Sequence, residues 1–426
     1  MAKHGFKAIE ALDITYVLPT YARARVAFVK GKGARLQDTQ GRDYIDFGSG
    51  IGVASLGHSH KALQKALKKS AKTLIHTSNL YYIEPQAKLA ARLVEYYKRG
   101  DEGKPNTQKS DKSKWRVFFG NSGAEANECA IKIARKYGQK DGRYKIITLD
   151  SSFHGRTIAT LKATGQDKFH KHFAPFPDGF VRAKDLSDIP NKLDSETAAV
   201  FIELVQGEGG INALDKKQVQ HLAKILKKQN ILLMVDEVQS GIYRSGEIFA
   251  SKVYGIEPDV ITMAKGLAGG VPIGACMTRL IDVFESGDHG STFGGNFLST
   301  NAGLAVLKTL EKMRKDRTLE STTKYFHTKL DSVLERYPAV FSKRVGLGLM
   351  CGLQVRSEEI FSQILSACLR HRVLVLRSGG NVLRFLPPLT ITKSEIDEGF
   401  ARLLRALKEL KISQTQKTAQ KSKNPK

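Results

Sequence analysis

The alternation of apolar and polar positions changes period along this chain, and the changes outline an architecture. Residues 35–46 alternate around Gly41, which predicts a β-hairpin. Across 61–74, Leu63, Ala66, Leu67, Ala71 and Leu74 recur at helical spacing, and 86–97 continues in that style. The stretch 101–114 is polar and rich in Lys and Ser, which predicts an exposed insertion. Short apolar runs then follow at 115–119, 145–149, 199–203, 231–235 and 260–263, separated by helical segments. Such alternation predicts a mostly parallel sheet with helices on both faces. After about Ala305 the pattern lengthens into helices at 304–314 and 319–337. Mixed segments at 346–355 and 373–386 come next, then a helix over 393–410. Those features suit a smaller α+β unit, completed by the N-terminal hairpin. Residues 412–426 have no apolar face, which predicts disorder.

The ends of the apolar runs carry the candidate chemistry. Lys265 closes one run and opens the glycine-rich turn 266–270. A lysine there is a desolvated amine, and burial disfavours its ammonium form and makes it a better nucleophile toward carbonyls. Asp236 closes the run 231–235. A strand-end lysine and a strand-end carboxylate meet the two demands of pyridoxal phosphate, a covalent amine link and a charge partner for the pyridine nitrogen. Either residue alone reads more readily as a surface charge at a strand terminus, and only the pairing with the further motifs reverses that.

Three further motifs add to the pair. Residues 119–128 follow a strand and open a helix, so Gly123 and the helix N-terminus offer backbone N–H groups to an anion. After the strand ending near Asp150, Phe153 could stack on a planar ring and Arg156 could clamp a carboxylate. The loop 291–296 (STFGGN) is rich in hydroxyls and glycine and could donate to a phosphate.

Composition narrows the classes. The 426 residues can bury a large core across two domains, and 41% hydrophobic with 26% charged residues is ordinary for a globular enzyme. No apolar run approaches the roughly 20 residues of a membrane span. The N-terminus has no continuous apolar stretch of the signal-peptide kind. Four scattered cysteines, without metal-ligand spacing, suit reduced thiols in a cytoplasmic protein, and no metal is expected. The formal charge of +26 raises nucleic-acid binding as an alternative, since basic surfaces attract phosphate. The lysines are spread along the chain with no interleaved stacking aromatics, so no nucleic-acid partner is expected.

In order along the chain stand Asn121-Ser122-Gly123-Ala124-Glu125-Ala126-Asn127, Phe153-His154-Gly155-Arg156-Thr157, Gln206-Gly207-Glu208-Gly209-Gly210, Asp236-Glu237-Val238-Gln239, Ala264-Lys265-Gly266 and Ser291-Thr292-Phe293-Gly294-Gly295-Asn296. This set resembles the class III pyridoxal-phosphate aminotransferases, over about 21–410. The likeness includes 50–58 and 383–389. It implies an α/β fold of type I, with a large domain built on a mostly parallel seven-stranded sheet and a smaller α+β domain. The implied division is 1–70 contributing to the small domain, 71–305 the large cofactor-binding domain, 306–411 the C-terminal small domain, and 412–426 a basic tail.

The resemblance also implies a homodimer with shared active sites and pyridoxal 5'-phosphate as cofactor. By motif, Lys265 would carry the cofactor and Asp236 would pair with its ring nitrogen. Gln239 would bond the ring's phenolic oxygen, with Phe153 and Val238 on the two ring faces. Gly123 and Ala124 would hold the phosphate with Thr292 of the partner subunit. Arg156, Glu208, Ser291 and Arg384 would bind substrate. Two positions depart from the pattern: Tyr243 precedes Arg244 where glycine is common, and Phe297 follows Asn296 where proline is common.

A transaminase seats two substrates in one pocket. An ω-amine donor brings no carboxylate beside the cofactor, whereas glutamate or 2-oxoglutarate does. A near-side arginine is then needed in one half-reaction and is a costly unpaired charge in the other. Glu208 beside Arg384 would mask that charge. The activity that the resemblance implies is transfer of the δ-amino group of N2-acetylornithine to 2-oxoglutarate in arginine biosynthesis. The alternatives are another ω-amine donor (ornithine, succinylornithine, succinyl-diaminopimelate or 4-aminobutyrate) or an aminomutase needing no external acceptor.

Overall fold

The computed structural model describes residues 5–98 and 115–410. The expected insertion at 101–114 and the expected basic tail at 412–426 lie outside the described residues. Seven strands form the central sheet, in the order Arg116–Gly120, Gly274–Thr278, Val260–Met263, Leu232–Asp236, Thr197–Ile202, Lys145–Leu149 and Phe180–Ala183. Gly274–Thr278 runs antiparallel to both neighbours, and the other pairings are parallel.

Strand alternation explains why these runs lack polar positions. Successive side chains point to opposite faces. Val200, Ile202, Leu233 and Val235 pack with Val219, Leu222 and Leu226 of the helix Lys216–Lys228. Ala199, Phe201, Leu232 and Met234 face Cys129, Ala130, Ile133 and Ala134 of the helix Gly123–Gly138. Covered on both sides, the sheet reads as continuous apolar sequence, as parallel sheets do.

The two ends of the chain build one neighbouring layer. Arg35–Asp38 and Asp43–Asp46 form the expected antiparallel hairpin, and Asp43–Asp46 pairs in parallel with Val373–Leu374. Phe47 from the N-terminal part meets Phe326 edge-on at 5.2 Å, and Phe326 meets Phe400 at 5.1 Å. Gly399 permits this approach, since a Cβ there would lie 2.1 Å from Phe47 Cζ. A second, antiparallel sheet orders Phe341–Leu347, Met350–Val355, Val382–Phe385 and Leu376–Ser378. Its hairpin Leu376–Ser378/Val382–Phe385 turns through Gly380 and Asn381, both at positive φ.

Several elements escape the sequence pattern, the edge strand Phe180–Ala183 among them. The strand Gly274–Thr278 (GACMT) is wholly buried, yet its small residues carry little strand preference. The helix Glu358–Arg370 begins at the cap Ser357, whose side chain accepts from the Ile360 N–H, with Glu358 and Glu359 in its first turn. The helix Phe6–Tyr16 buries none of its residues. At the two departures from the family pattern, Tyr243 is buried at φ +64°, while Phe297 opens the helix Phe297–Lys315 behind the cap Asn296. That first helical position is where proline is also favoured, so Phe297 keeps the backbone course without proline's fixed φ.

Candidate active site

The carboxyl ends of the parallel strands converge on one cavity of about 340 Å³. Ligands of open α/β sheets bind along that edge. Asp236 ends its strand there and is 4% exposed. Its Oδ2 accepts from Asn127 Nδ2 at 2.7 Å and lies 2.9 Å from His154 Nδ1, while its Oδ1 accepts from the Val238 N–H at 2.9 Å. His154 is held in turn by stacking on Phe201, with ring centroids 4.3 Å apart. A carboxylate with three such partners is fixed in place at the cavity wall.

Lys265 follows the next strand, at φ +31°. A side chain in that left-handed region is strained, and such strain recurs at functional sites. Burial lowers the Lys265 pKa from the ordinary lysine value, against the opposing pull of Asp236, Glu203 and Glu208. A larger neutral fraction is what a nucleophilic amine needs.

The turn after Arg116–Gly120 supplies an anion cradle. Ser122 caps the helix Gly123–Gly138 in a reciprocal capping box with Glu125. The first-turn N–H groups have no partners within the helix, and Gly123 and Ala124 line the cavity. A Cβ on Gly123 would lie 2.7 Å from Val238 Cγ1, so only glycine fits against that wall. Val238, Phe153 and Gln239 also line the cavity, and Gln239 Oε1 is buried without a hydrogen-bond partner. A flat, partly apolar slot with an N–H cradle at one end, a fixed carboxylate, an amine and an unpartnered amide oxygen fits pyridoxal phosphate.

Arg156 lines the cavity too, its guanidinium 4.1 Å from the Phe169 ring centroid and 5.4 Å from that of Phe153. Glu208 lines it as well. Arg384 Nη1 donates to Glu208 Oε1 at 2.6 Å and to the Gly207 carbonyl at 3.2 Å. Arg384 is 3% exposed, and its Nε is buried without a partner. Ser291 and Thr292 are not among the lining residues. Ser291 Oγ accepts from Asn121 Nδ2 at 3.1 Å, beside the cradle, and Thr292 is exposed.

Sequence reasoning missed three side chains. Asn127 and His154 hold Asp236. Glu203 is buried in the cavity wall, where it accepts from the N–H groups of Phe153 at 2.8 Å and Gly207 at 3.2 Å. Burial, reinforced by Asp236, pushes the Glu203 carboxyl well above the usual range. The signal for Glu203 was present, because it too closes an apolar strand run. Asn127 and His154 sit inside quoted motifs, but nothing in their spacing points to Asp236.

Comparison with known proteins points to one family. The family model for aminotransferase class-III matches residues 17–407. An acetylornithine aminotransferase from Wolinella succinogenes is 57% identical over 403 residues, covering 94% of this chain and 99% of that protein. One from Aquifex aeolicus is 44% identical over 400 residues, covering 92% and 100%. Among solved structures, the ornithine aminotransferase from Toxoplasma gondii ME49 superposes with a TM-score of 0.86 at 30% identity, covering 96% of each chain. The N-acetylornithine aminotransferase from Stenotrophomonas maltophilia K279a gives 0.76 at 31% identity, covering 94% of this chain and 98% of that one. With the family model spanning nearly the whole chain and the fold matching along its length, the protein belongs to the class III aminotransferases, pyridoxal-phosphate-dependent transaminases of fold type I.

Proposed function

We propose that this enzyme moves the δ-amino group of N2-acetylornithine to 2-oxoglutarate, giving N-acetylglutamate 5-semialdehyde and glutamate, as a step of arginine biosynthesis. The observation that carries the reading is the pair that buried Arg384 makes with half-buried Glu208 at 2.6 Å, with Arg384 Nε left open among the described residues. In the ω-amine half-reaction Glu208 covers the arginine, so no bare charge faces the carbon that bears the amine. In the dicarboxylate half-reaction Glu208 turns aside and Arg384 binds the near carboxylate by a charge-assisted contact. Arg156 takes the far carboxylate, and Ser291 adds a polar contact to substrate. The named relatives at 57% and 44% identity support the choice of donor.

Bound pyridoxal phosphate supplies an electron sink for the substrate carbon. Lys265 would hold the cofactor, and its amine, with a pKa lowered by burial, would be the group that takes and returns the proton at the substrate carbon. Asp236 would pair with the ring nitrogen, Gln239 would bond the phenolic oxygen, and Phe153 and Val238 would hold the ring between them. Gly123 and Ala124 receive the phosphate together with Thr292 of the partner subunit.

A homodimer is part of this proposal. The loop holding Thr292 is tied to Asn79, whose Nδ2 donates to the carbonyls of Ser291 at 3.0 Å and Gly294 at 2.8 Å. Around it Leu80, Tyr81, Tyr82 and Phe293 lie exposed, an apolar surface that a second copy would cover. The proposal keeps the division into 1–70, 71–305, 306–411 and 412–426, and places the enzyme in the cytoplasm. No helix among the described residues is long and apolar enough to cross a membrane.

The test is a donor panel with 2-oxoglutarate as acceptor: N-acetylornithine, succinylornithine, ornithine, succinyl-diaminopimelate and 4-aminobutyrate. N-acetylornithine should give the highest kcat/KM. A tenfold preference for another donor would replace the substrate assignment, and turnover without any acceptor would point to an aminomutase.

A further inference from the structure

The turn at residues 378–380 touches no substrate in the proposed mechanism, yet it grips the loop that carries Glu208. Ser378 is 4% exposed, and its Oγ donates to the Gly207 carbonyl at 2.8 Å and accepts from the Gly210 N–H at 3.0 Å. The next residue, Gly379, donates its N–H to the Glu208 carbonyl at 3.0 Å. The approach is close enough to exclude a side chain, since a Cβ on Gly379 would lie 2.7 Å from that carbonyl oxygen. On its other side the loop is held by Glu203, which accepts from the Gly207 N–H. The backbone from Gly207 to Gly210 is therefore bonded at both flanks of Glu208 and at Glu208 itself.

The same hairpin carries Arg384. Leu376–Ser378 pairs with Val382–Phe385, with Leu376 opposite Arg384 and Ser378 opposite Val382. One rigid element thus holds the arginine through its own strand and the glutamate through its turn, and sets the distance between the two charges. Opening and closing the pair is then left to rotation of the Glu208 side chain, because the backbone cannot move away without breaking buried hydrogen bonds. Arg384 also donates to the Gly207 carbonyl at 3.2 Å, a contact that does not involve the carboxylate.

We infer that Ser378 is a positioning residue for substrate selection, clamping the Glu208 loop so that the covered state of Arg384 is favoured in the ω-amine half-reaction. The inference rests on the proposed role of the Glu208–Arg384 pair. Without the hydroxyl, the Gly210 N–H is left unpaired in a buried place and the loop relaxes. Glu208 then covers the arginine less completely, and the α-carboxylate of glutamate competes better.

The test uses cofactor-loaded wild type, Ser378→Ala, Glu208→Ala and the double variant, with Ser378→Cys as a second substitution that keeps the volume. Each half-reaction is followed separately by stopped-flow absorbance, with acetylornithine or glutamate as the sole substrate. The readout is the ratio of the two second-order rate constants, alongside thermal melting of each variant. Ser378→Ala removes two buried hydrogen bonds and should lower the acetylornithine-to-glutamate ratio about 3- to 10-fold, part of that loss being felt in the covering of Arg384. Ser378→Cys should fall between wild type and Ser378→Ala. In the double variant the ratio should equal that of Glu208→Ala, since the serine acts only through the glutamate. If Glu208→Ala shifts the ratio but Ser378→Ala slows both half-reactions equally, or the two effects multiply, the clamp is merely structural and the inference fails. If Glu208→Ala leaves the ratio unchanged, the reading of the pair fails and the inference falls with it.

Discussion

Asp236→Asn probes the site at its most connected atom. The three contacts on the carboxylate are the Asn127 amide and His154 Nδ1 on Oδ2 and the Val238 N–H on Oδ1. Asn127 Nδ2 and the Val238 N–H are donors in any protonation state. An asparagine brings one oxygen and one NH2, so whichever way it turns, its NH2 meets one of those fixed donors. Histidine can change tautomer to accept, the Val238 N–H cannot, and an Asn127 amide turned to present its oxygen would give up its bond to the His154 carbonyl. One buried polar group is therefore left unpaired, which costs about 1–3 kcal/mol of stability. The chemical loss is separate. The variant also lacks the charge that keeps the ring nitrogen protonated, a charge-assisted contact of about 1.5–3 kcal/mol. If all of that is felt in the transition state, turnover falls about 10- to 150-fold. Denaturant unfolding of the cofactor-free protein gives the first number, and steady-state transamination of the loaded enzyme gives the second. Near wild-type turnover in a folded, cofactor-loaded variant would refute the proposed role of Asp236. Unchanged stability would refute the hydrogen-bond accounting.

Three shorter predictions follow from other parts of the site. Gly123→Ala places a Cβ 2.7 Å from Val238 Cγ1, so cofactor affinity should fall at least tenfold while the fold survives; fluorescence titration with pyridoxal phosphate would measure it, and unchanged affinity would contradict the cradle. Lys265→Ala should remove borohydride-fixed cofactor from the peptide spanning that residue and nearly all turnover, and fixation on another lysine of the wild type would overturn the assignment. Burial pushes the Glu237 carboxyl up to about 7, despite its bonds from the Ala250 and Ser251 N–H groups. Between the unfolded value near 4.5 and the folded value, the native state holds a proton that the unfolded chain has lost, so stability declines as pH rises through that window. From pH 5 to pH 7.5 the stability gap between wild type and Glu237→Gln should shift by about 2.4 kcal/mol in the variant's favour, and a constant gap would contradict this.

Much of the fold was legible because buried parallel strands leave uninterrupted apolar runs. The runs ending at Asp236 and before Lys265 also marked where the carboxyl edge of the sheet would gather chemistry. The strand Gly274–Thr278 was not legible, because glycine, alanine and cysteine fit a crowded sheet without announcing a strand. The helix Glu358–Arg370 had its signals in Ser357 and the acidic first turn, but lay between two segments read as mixed. Within the site, residues that face the cavity from strand ends and turns were visible by position. Asn127 and His154 were not, because their roles come from contacts spanning 109 and 82 residues of sequence. Ser378 was invisible for the same reason: its partners Gly207 and Gly210 lie 171 and 168 residues away.

The central claim is that Arg384 is alternately covered and uncovered by Glu208, which makes this an ω-amine transaminase rather than one for α-amines. Separate half-reactions of Glu208→Ala and Arg384→Ala test it most directly. Glu208→Ala should gain in relative reactivity toward glutamate and lose toward acetylornithine. Arg384→Ala should do the reverse, with its damage concentrated in the 2-oxoglutarate half-reaction, at about 10- to 150-fold for one charge-assisted contact. Equal losses in both half-reactions for both variants would contradict the claim and leave the pair as a structural ion pair.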